Sequence, residues 1–233
     1  MSDGEPRNIS LQRASTAEVV AETLVRLIVT RVLKSGEPLR ESSLARDLGI
    51  SRNSLREGIR LLEQSRLVEY QMHRGAIVST PNVENLNDLY ITRLHLESLA
   101  AQQTPTPEQL AGIDRAFAAL EEASKTQESD RIIHADLGLH QAIVDILGSE
   151  RISDFYRQIG KELIFYFTVI SYADNEFLNP DDFILARHKA LRDALHSGDS
   201  EQATRLVREH IIENWERIKE ILSAQEEADT PTS

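Results

Sequence analysis

Residues 44–64 read LARDLGISRNSLREGIRLLEQ, and this stretch decides the fold of the N-terminal third. A short apolar helix runs into Gly49, a turn residue, and Ser51 then offers a side-chain oxygen to cap a second helix. On that second helix Leu55, Ile59 and Leu62 share one face, which must pack inward. Arg52, Arg56 and Arg60 recur one turn apart on another face, a like-charge ladder that is unfavourable until a counter-charge arrives. Glu57 and Glu63 supply that charge if the helix is simply solvated; phosphates or guanine edges supply it if the helix enters a DNA groove.

The sequence on either side favours the groove. Leu67 to Ser79 is the one stretch with strand-like alternation, and it reads as a hairpin turning near Gly75 with His73 and Arg74 at its tip. A helix-turn-helix followed at once by a hairpin is the winged arrangement, in which the wing tip touches backbone or minor groove. Upstream, residues 15–34 read as a first helix, with Gly36 and Pro38 punctuating the gap before a short helix at 41–48 and a third at 51–65. Thr80, Pro81 and Asn82 break the pattern, so a winged helix-turn-helix domain is expected over 10–80 and a second domain over 83–224. Charge follows the same division. The chain carries a net −12, yet residues 10–80 hold 11 Lys and Arg against 8 Asp and Glu, while residues 81–233 hold 14 against 28. A mildly basic module on an acidic body is oriented toward a polyanion.

The fold class expected is mainly α. Beyond residue 82 the helical period predicts six helices, at about 83–103, 106–125, 129–147, 150–172, 180–197 and 200–224. Thr106 with Pro107 and Gln109, and Asn179 with Pro180, mark two helix starts; Gly148 and Gly198 mark two ends. There is no cysteine, so disulfides and thiolate metal sites are excluded and any metal must use His, Asp or Glu. No apolar run approaches the ~20 residues that span a bilayer, and a cytoplasmic protein without membrane partners is expected.

Helical phase makes four residues stand out. Asp136 and His140 lie one turn apart on one face; His140 belongs to the apolar stripe Ile133, Leu137, Val144, Leu147. His188 falls in the stripe Ile184, Leu191, Leu195, and His210 in Ala203, Val207, Ile218. A buried imidazole is usually a core residue bonded to a carbonyl, but three from three helices beside one in-phase carboxylate are satisfied together by a shared divalent cation. Three neutral imidazoles and a carboxylate suit Zn²⁺ best, with Ni²⁺ or another first-row ion also accommodated. Such a centre keeps a net positive charge and open positions, which a small carboxylic, hydroxy or sugar acid could take. Asn214, one turn past His210, is placed to reach the same cavity. His95, His134 and His196 lack this joint pattern and read as surface or packing residues.

Residues 41–79 resemble the GntR superfamily of bacterial regulators, through LARDLGISRNSLREGIRLLE followed by LVEYQMHRGAIVS. The resemblance implies DNA contacts from the recognition helix, where Arg52, Asn53, Arg56 and Arg60 are the candidates, and from a wing tip at His73, Arg74 and Gly75. The sequence departs from the family pattern at Ser42 for arginine, Ser54 for proline, Gly58 for alanine and Arg66 for glycine. The second half resembles the FCD effector domain of the FadR subgroup, through DLGLHQAIVDILGSERI at 136–152, RHKALRDALHSGDSEQA at 187–203 and His210; the six helices resemble its VanR-type branch. That resemblance implies a metal held by Asp136, His140, His188 and His210, and an anion-gripping arginine at Arg93. Arg93 equally reads as an intrahelical partner of Glu97, four residues on.

The function expected is therefore a regulator, most readily a repressor, acting as a homodimer on a palindromic double-stranded DNA operator under control of a small acid. Two alternatives remain open from sequence: a metalloenzyme using an Asp/His₃ centre, and a regulator whose metal is only a staple.

Overall fold

A computed structural model of the chain describes residues 16–126, 128–174 and 182–229. The chain divides into two compact units, the first ending at Ser79 and the second beginning at Thr80.

The first unit comprises α1 (Thr16–Val29), α2 (Glu41–Asp47), α3 (Arg52–Gln64) and a hairpin of β1 (Val68–Gln71) and β2 (Gly75–Val78). α3 begins where Ser51 Oγ accepts from the backbone N–H of Ser54 at 3.0 Å. Leu55, Ile59 and Leu62 are at most 1% exposed, so each contributes roughly 1.5–3 kcal/mol by burial. The turn before α3 uses Gly49 at φ +67°, a left-handed conformation that costs glycine nothing. α1 ends at Val29 rather than near residue 34. Arg31 takes φ 56° and Val32 is 64% exposed, so no buried face rewards a longer helix, and β-branched Thr30 and Val32 favour leaving it.

The hairpin is antiparallel, with Val68 opposite Val78 and Gln71 opposite Gly75. Met72, His73 and Arg74 form its tip, while Gly75 opens the returning strand. Pro38 bridges to Ile77, with Leu39 N–H donating to Ala76 O at 2.8 Å and Val78 N–H to Glu37 O at 3.0 Å. Residues 37–39 thus add a third, edge rung, where a proline without an N–H is tolerated.

The second unit is helical: α4 (Val83–Ala101), α5 (Pro107–Ser124), α6 (Ser129–Val144), α7 (Glu150–Asp174), α8 (Asp182–Ser197) and α9 (Ser200–Asp229). Asn82 caps α4 by accepting from Asn85 N–H at 2.8 Å. Thr106 and Gln109 cap α5 reciprocally, as their spacing predicts. The last turn of α6 tightens into a 3-10 turn at Asp145–Leu147 before Gly148. α9 runs five residues past the expected end at 224. The helix start expected at Asn179 and Pro180 lies outside the described residues. α4 packs along α9, α6 lies between α5 and α7, and α8 packs on α5 and α9. Facing sides of these helices bury Leu86, Ile113, Leu120, Leu139, Ile143 and Ile211, each unexposed. Among the described residues no helix is long and apolar enough to cross a membrane.

Gly58, where alanine is expected from the family pattern, lies against α1. A Cβ there would sit 2.5 Å from Val20 Cγ1 and 2.9 Å from Val20 Cβ, closer than such atoms approach. Gly58→Ala is expected to cost about 1–2 kcal/mol net, the overpacking penalty exceeding alanine's helix-propensity gain. In a Val20→Ala background the same change is expected to cost less but not nothing, because Cγ1 is gone while the Cβ that alanine keeps still lies 2.9 Å away. Denaturant titrations of the four proteins measure this coupling, and additivity of the two changes would refute the close approach.

Candidate metal centre and nucleic-acid interface

Helices α6, α8 and α9 bring Asp136, His140, His188 and His210 together, with one ligand atom from each lying within 4.8 Å of the other three. His188 Nε2 is 2.7 Å from Asp136 Oδ1; His140 Nε2 is 3.8 Å from Asp136 Oδ2 and 3.2 Å from His210 Nε2. Donors around one tetrahedral Zn²⁺ stand about 3.4 Å apart, so the set fits a first-row cation with small side-chain adjustments. His140 and His188 are buried, and His210 is half-buried with Nδ1 enclosed and without a hydrogen-bond partner.

Behind His140 lies a residue the sequence reading treats only as a neighbour of Arg93. Glu97, fully buried, accepts at Oε2 from His140 Nδ1 at 2.6 Å. Its Oε1 accepts from Arg93 Nε at 2.6 Å and from the Tyr156 hydroxyl at 2.5 Å. The Arg93–Glu97 pair exists as its spacing suggests, yet it occupies only one of the arginine's nitrogens. Arg93 Nη1 and Nη2 are buried without a hydrogen-bond partner among the described residues. The guanidinium lies 5.6 Å from the ring centres of both Tyr90 and Phe167. Asn214 accepts a hydrogen bond from the Tyr90 hydroxyl, and Tyr90 stacks on Trp215, whose Nε1 donates to Asn87 at 2.9 Å. His95 and His134 are exposed and bond to carbonyls of their own helices, and His196 meets Asp114 at 3.0 Å; all three stand apart from the cluster.

Burial would raise both acids of this region, but their neighbours prevail. The Arg93 guanidinium and His140 hold Glu97 down at about 2, and His188, His140 and Arg93 hold Asp136 well below the carboxylate range. Burial lowers His140, against the opposing pull of Glu97. It lowers His210 further, assisted by His188, His140 and Arg93. Neutral imidazoles beside an ionised carboxylate are the protonation states in which these groups ligate metals.

In the first unit Arg52, Asn53, Arg56, Arg60, His73, Arg74 and Gly75 are all exposed. Arg60 pairs with Glu57 at 2.8 Å, and Arg56 approaches Glu41 at 3.8 Å, both in solvent, where such pairs are worth little and yield to phosphate. Arg74 donates to Gln71 at 3.0 Å across the wing. Arg52 borders an open groove of about 770 Å³ that Arg40 and Arg46 also line. The sequence does not single out those two arginines, because Arg40 precedes the motif and Arg46, inside it, lies on α2 apart from the ladder of α3.

A winged helix-turn-helix carrying an arginine ladder, followed in the chain by a helical unit with a buried polar centre, is the architecture of a DNA-binding transcription regulator. The chain belongs to the gntR family of bacterial regulatory proteins: it matches that family over residues 16–78 and the FCD domain over residues 88–213. It is 24% identical over 208 residues to the HTH-type transcriptional regulator YdhC of Bacillus subtilis (strain 168), covering 88% of this chain and 91% of that one. It is 21% identical over 221 residues to the gluconate operon transcriptional repressor of Bacillus licheniformis, covering 93% and 90%. A crystal structure of a GntR transcriptional regulator from Rhodococcus sp. RHA1 superposes with a TM-score of 0.75 at 26% identity, covering 88% of this chain and 97% of that one. These relatives are regulators, and the chain is a transcription regulator rather than an enzyme.

The depressed imidazoles give the metal-free protein a defined acid sensitivity. Both are neutral when folded but protonate near 6.5 when unfolded, so stability is full above that value and is lost as pH falls through it. Glu97 adds a second loss as pH falls from 4.5 toward about 2. The thermal midpoint of metal-free protein is expected to drop steadily from neutrality into the acid range, and His210→Gln to flatten the first part of that drop. Circular dichroism melts across a pH series check this; a flat midpoint through the imidazole range would contradict the buried neutral state.

Proposed function

We propose that this protein is a cytoplasmic repressor of the FadR subgroup, VanR-like branch, that binds a palindromic operator as a homodimer and is controlled by a small carboxylic, hydroxy or sugar acid. The observation that carries the reading is the pair of buried terminal nitrogens on Arg93 that make no hydrogen bond among the described residues, on the arginine whose Nε is held by the same Glu97 that backs His140. A buried guanidinium with two idle donors is costly, and a planar carboxylate is the group whose two oxygens match that fork. Asp136, His140, His188 and His210 are the residues that would hold a divalent cation, Zn²⁺ by preference. When bound, the cation would supply a Lewis acid for a further oxygen of the ligand, such as the hydroxyl of a hydroxy or sugar acid. Arg93 would orient the acid, and the Tyr90 hydroxyl and Asn214 amide would fix its polar end. The gluconate operon repressor, similar over nearly the whole chain, bears a name consistent with sugar acids as candidates.

In the head, Arg52 and Asn53 on the first turn of α3 would read base edges, while Arg56, Arg60 and the wing tip of His73, Arg74 and Gly75 would position the duplex. Arg40 and Arg46, beside Arg52 in the same groove, would take phosphates. Acid binding would act by favouring one of two poses of the paired heads.

The test is fluorescence anisotropy on operator DNA selected in vitro, with zinc-loaded and chelated protein, across a panel of acids that includes gluconate. At least one acid is expected to shift operator affinity about 5–150-fold, and only with zinc present. Arg93→Lys, which keeps the charge on Glu97 but loses the fork, is expected to weaken that response about tenfold while leaving acid-free DNA binding intact. An operator affinity indifferent to every acid would reduce the cation to a structural role. Separately, Arg52→Ala is expected to lower operator affinity by about 1–3 kcal/mol and relax base preference at one position per half-site. A uniform loss across all sequences would reassign Arg52 to a phosphate.

A further inference from the structure

We propose that Glu97 is a positioning residue that sets the proton of His140 on Nδ1, keeps Nε2 open for a cation and presents the free end of Arg93 to an acid. The inference deepens the cation and acid reading above and rests on it.

An ionised carboxylate only accepts hydrogen bonds, so the 2.6 Å contact between Glu97 Oε2 and His140 Nδ1 requires Nδ1 to be the donor. A neutral imidazole has one N–H. Its other nitrogen, Nε2, therefore carries a lone pair, and it faces His210 Nε2 at 3.2 Å and Asp136 Oδ2 at 3.8 Å, inside the four-residue cluster. The tautomer that a metal needs is thus fixed before any metal arrives, the role that carboxylates behind ligating histidines commonly play. The other oxygen decides what Arg93 can do. Oε1 takes the guanidinium at Nε, side-on, and leaves Nη1 and Nη2 uncommitted; an end-on pair would consume the fork. The Tyr156 hydroxyl, donating to the same oxygen, anchors the carboxylate to α7.

Glutamine at this position separates the roles. Two of the three donors converge on Oε1, so a glutamine would place its carbonyl there and turn its NH₂ toward His140. Facing a donor, His140 must accept at Nδ1, which moves its proton to Nε2, the nitrogen that would ligate. Tyr156→Phe removes a bond from the same carboxylate and disturbs no proton.

The experiment uses full-length protein in three forms: wild type, Glu97→Gln and Tyr156→Phe. Long-range proton–nitrogen spectra of metal-free, histidine-labelled protein read the His140 tautomer, and competition with a chelating dye reads zinc affinity. Wild type and Tyr156→Phe are expected to carry the proton on Nδ1 and to bind zinc within about threefold of each other, whereas Glu97→Gln carries it on Nε2 and binds zinc about 10–100-fold more weakly. Equal zinc binding by wild type and Glu97→Gln overturns this inference alone, as does an Nε2 proton in wild type or an equal loss in Tyr156→Phe. If wild type binds no zinc, the cation reading falls and this inference with it. Should Glu97→Gln fail to fold, the wild-type tautomer and the Tyr156→Phe affinity still decide.

Discussion

A carboxylate with no exposed surface governs the interior of the helical unit. Glu97 ties α4 to α6 through His140 and to α7 through Tyr156, and pairs with Arg93 one turn back on its own helix. Removing two charges from water costs several kcal/mol per ion, and only good geometry with further hydrogen bonds repays it. Glu97 meets that condition, since three donors surround it. Arg93 meets it less fully, since Nη1 and Nη2 make no hydrogen bond of ordinary geometry among the described residues. A core selected for stability alone would replace this arrangement with well-packed apolar residues, so its incomplete satisfaction points to a task rather than to folding.

The two units treat charge in opposite ways. In the head the arginines lie in solvent, and their partners Glu41 and Glu57 are close enough to pair but too exposed to hold them. Such pairs exchange readily for phosphate oxygens, which makes them suited to reversible, salt-dependent contact with a duplex. In the core of the helical unit Arg93, Glu97 and Asp136 are enclosed, and the acidities of Glu97 and Asp136 are pushed far below the usual carboxylate range by named neighbours. Mobile charge serves attraction over a distance; fixed charge serves discrimination among small ligands.

What the sequence disclosed follows from how local each cause is. The cap at Ser51, the apolar face Leu55, Ile59, Leu62 and the reciprocal cap of Thr106 and Gln109 depend on residues within a turn or two, and each is readable by spacing. The gathering of Asp136, His140, His188 and His210 is readable because each lies on the apolar side of its own helix, and apolar sides must meet. The rung formed by residues 37–39 is not, because its partner strand lies some forty residues away and Pro38 looks like punctuation. Nor is the link from Glu97 to His140 and Tyr156, which joins three helices. For Arg93 the sequence offers two roles as rivals, an ion pair or a ligand contact. A guanidinium has five donors, and the fold spends one on the first, so the two roles do not exclude each other. The departures at Gly58 and Arg66 also gain meaning only in three dimensions. The first admits Val20, and the second places a non-glycine residue at φ 55°, the left-handed conformation that glycine adopts more cheaply.

A buried guanidinium whose terminal nitrogens make no hydrogen bond among the described residues also bears on how an acid could act under the sensing reading. Its two unmet donors raise the energy of the closed, ligand-free arrangement, whereas an opened arrangement would let water reach them. A carboxylate seated on Arg93 cancels the penalty only in the closed arrangement, because an opened one has already relieved it with solvent. An acid bound there would therefore bind the two arrangements with different free energies, and that difference is the quantity a ligand needs in order to shift an equilibrium at all. Under the sensing reading, the cost left standing at Arg93 is what gives a small acid leverage over the heads.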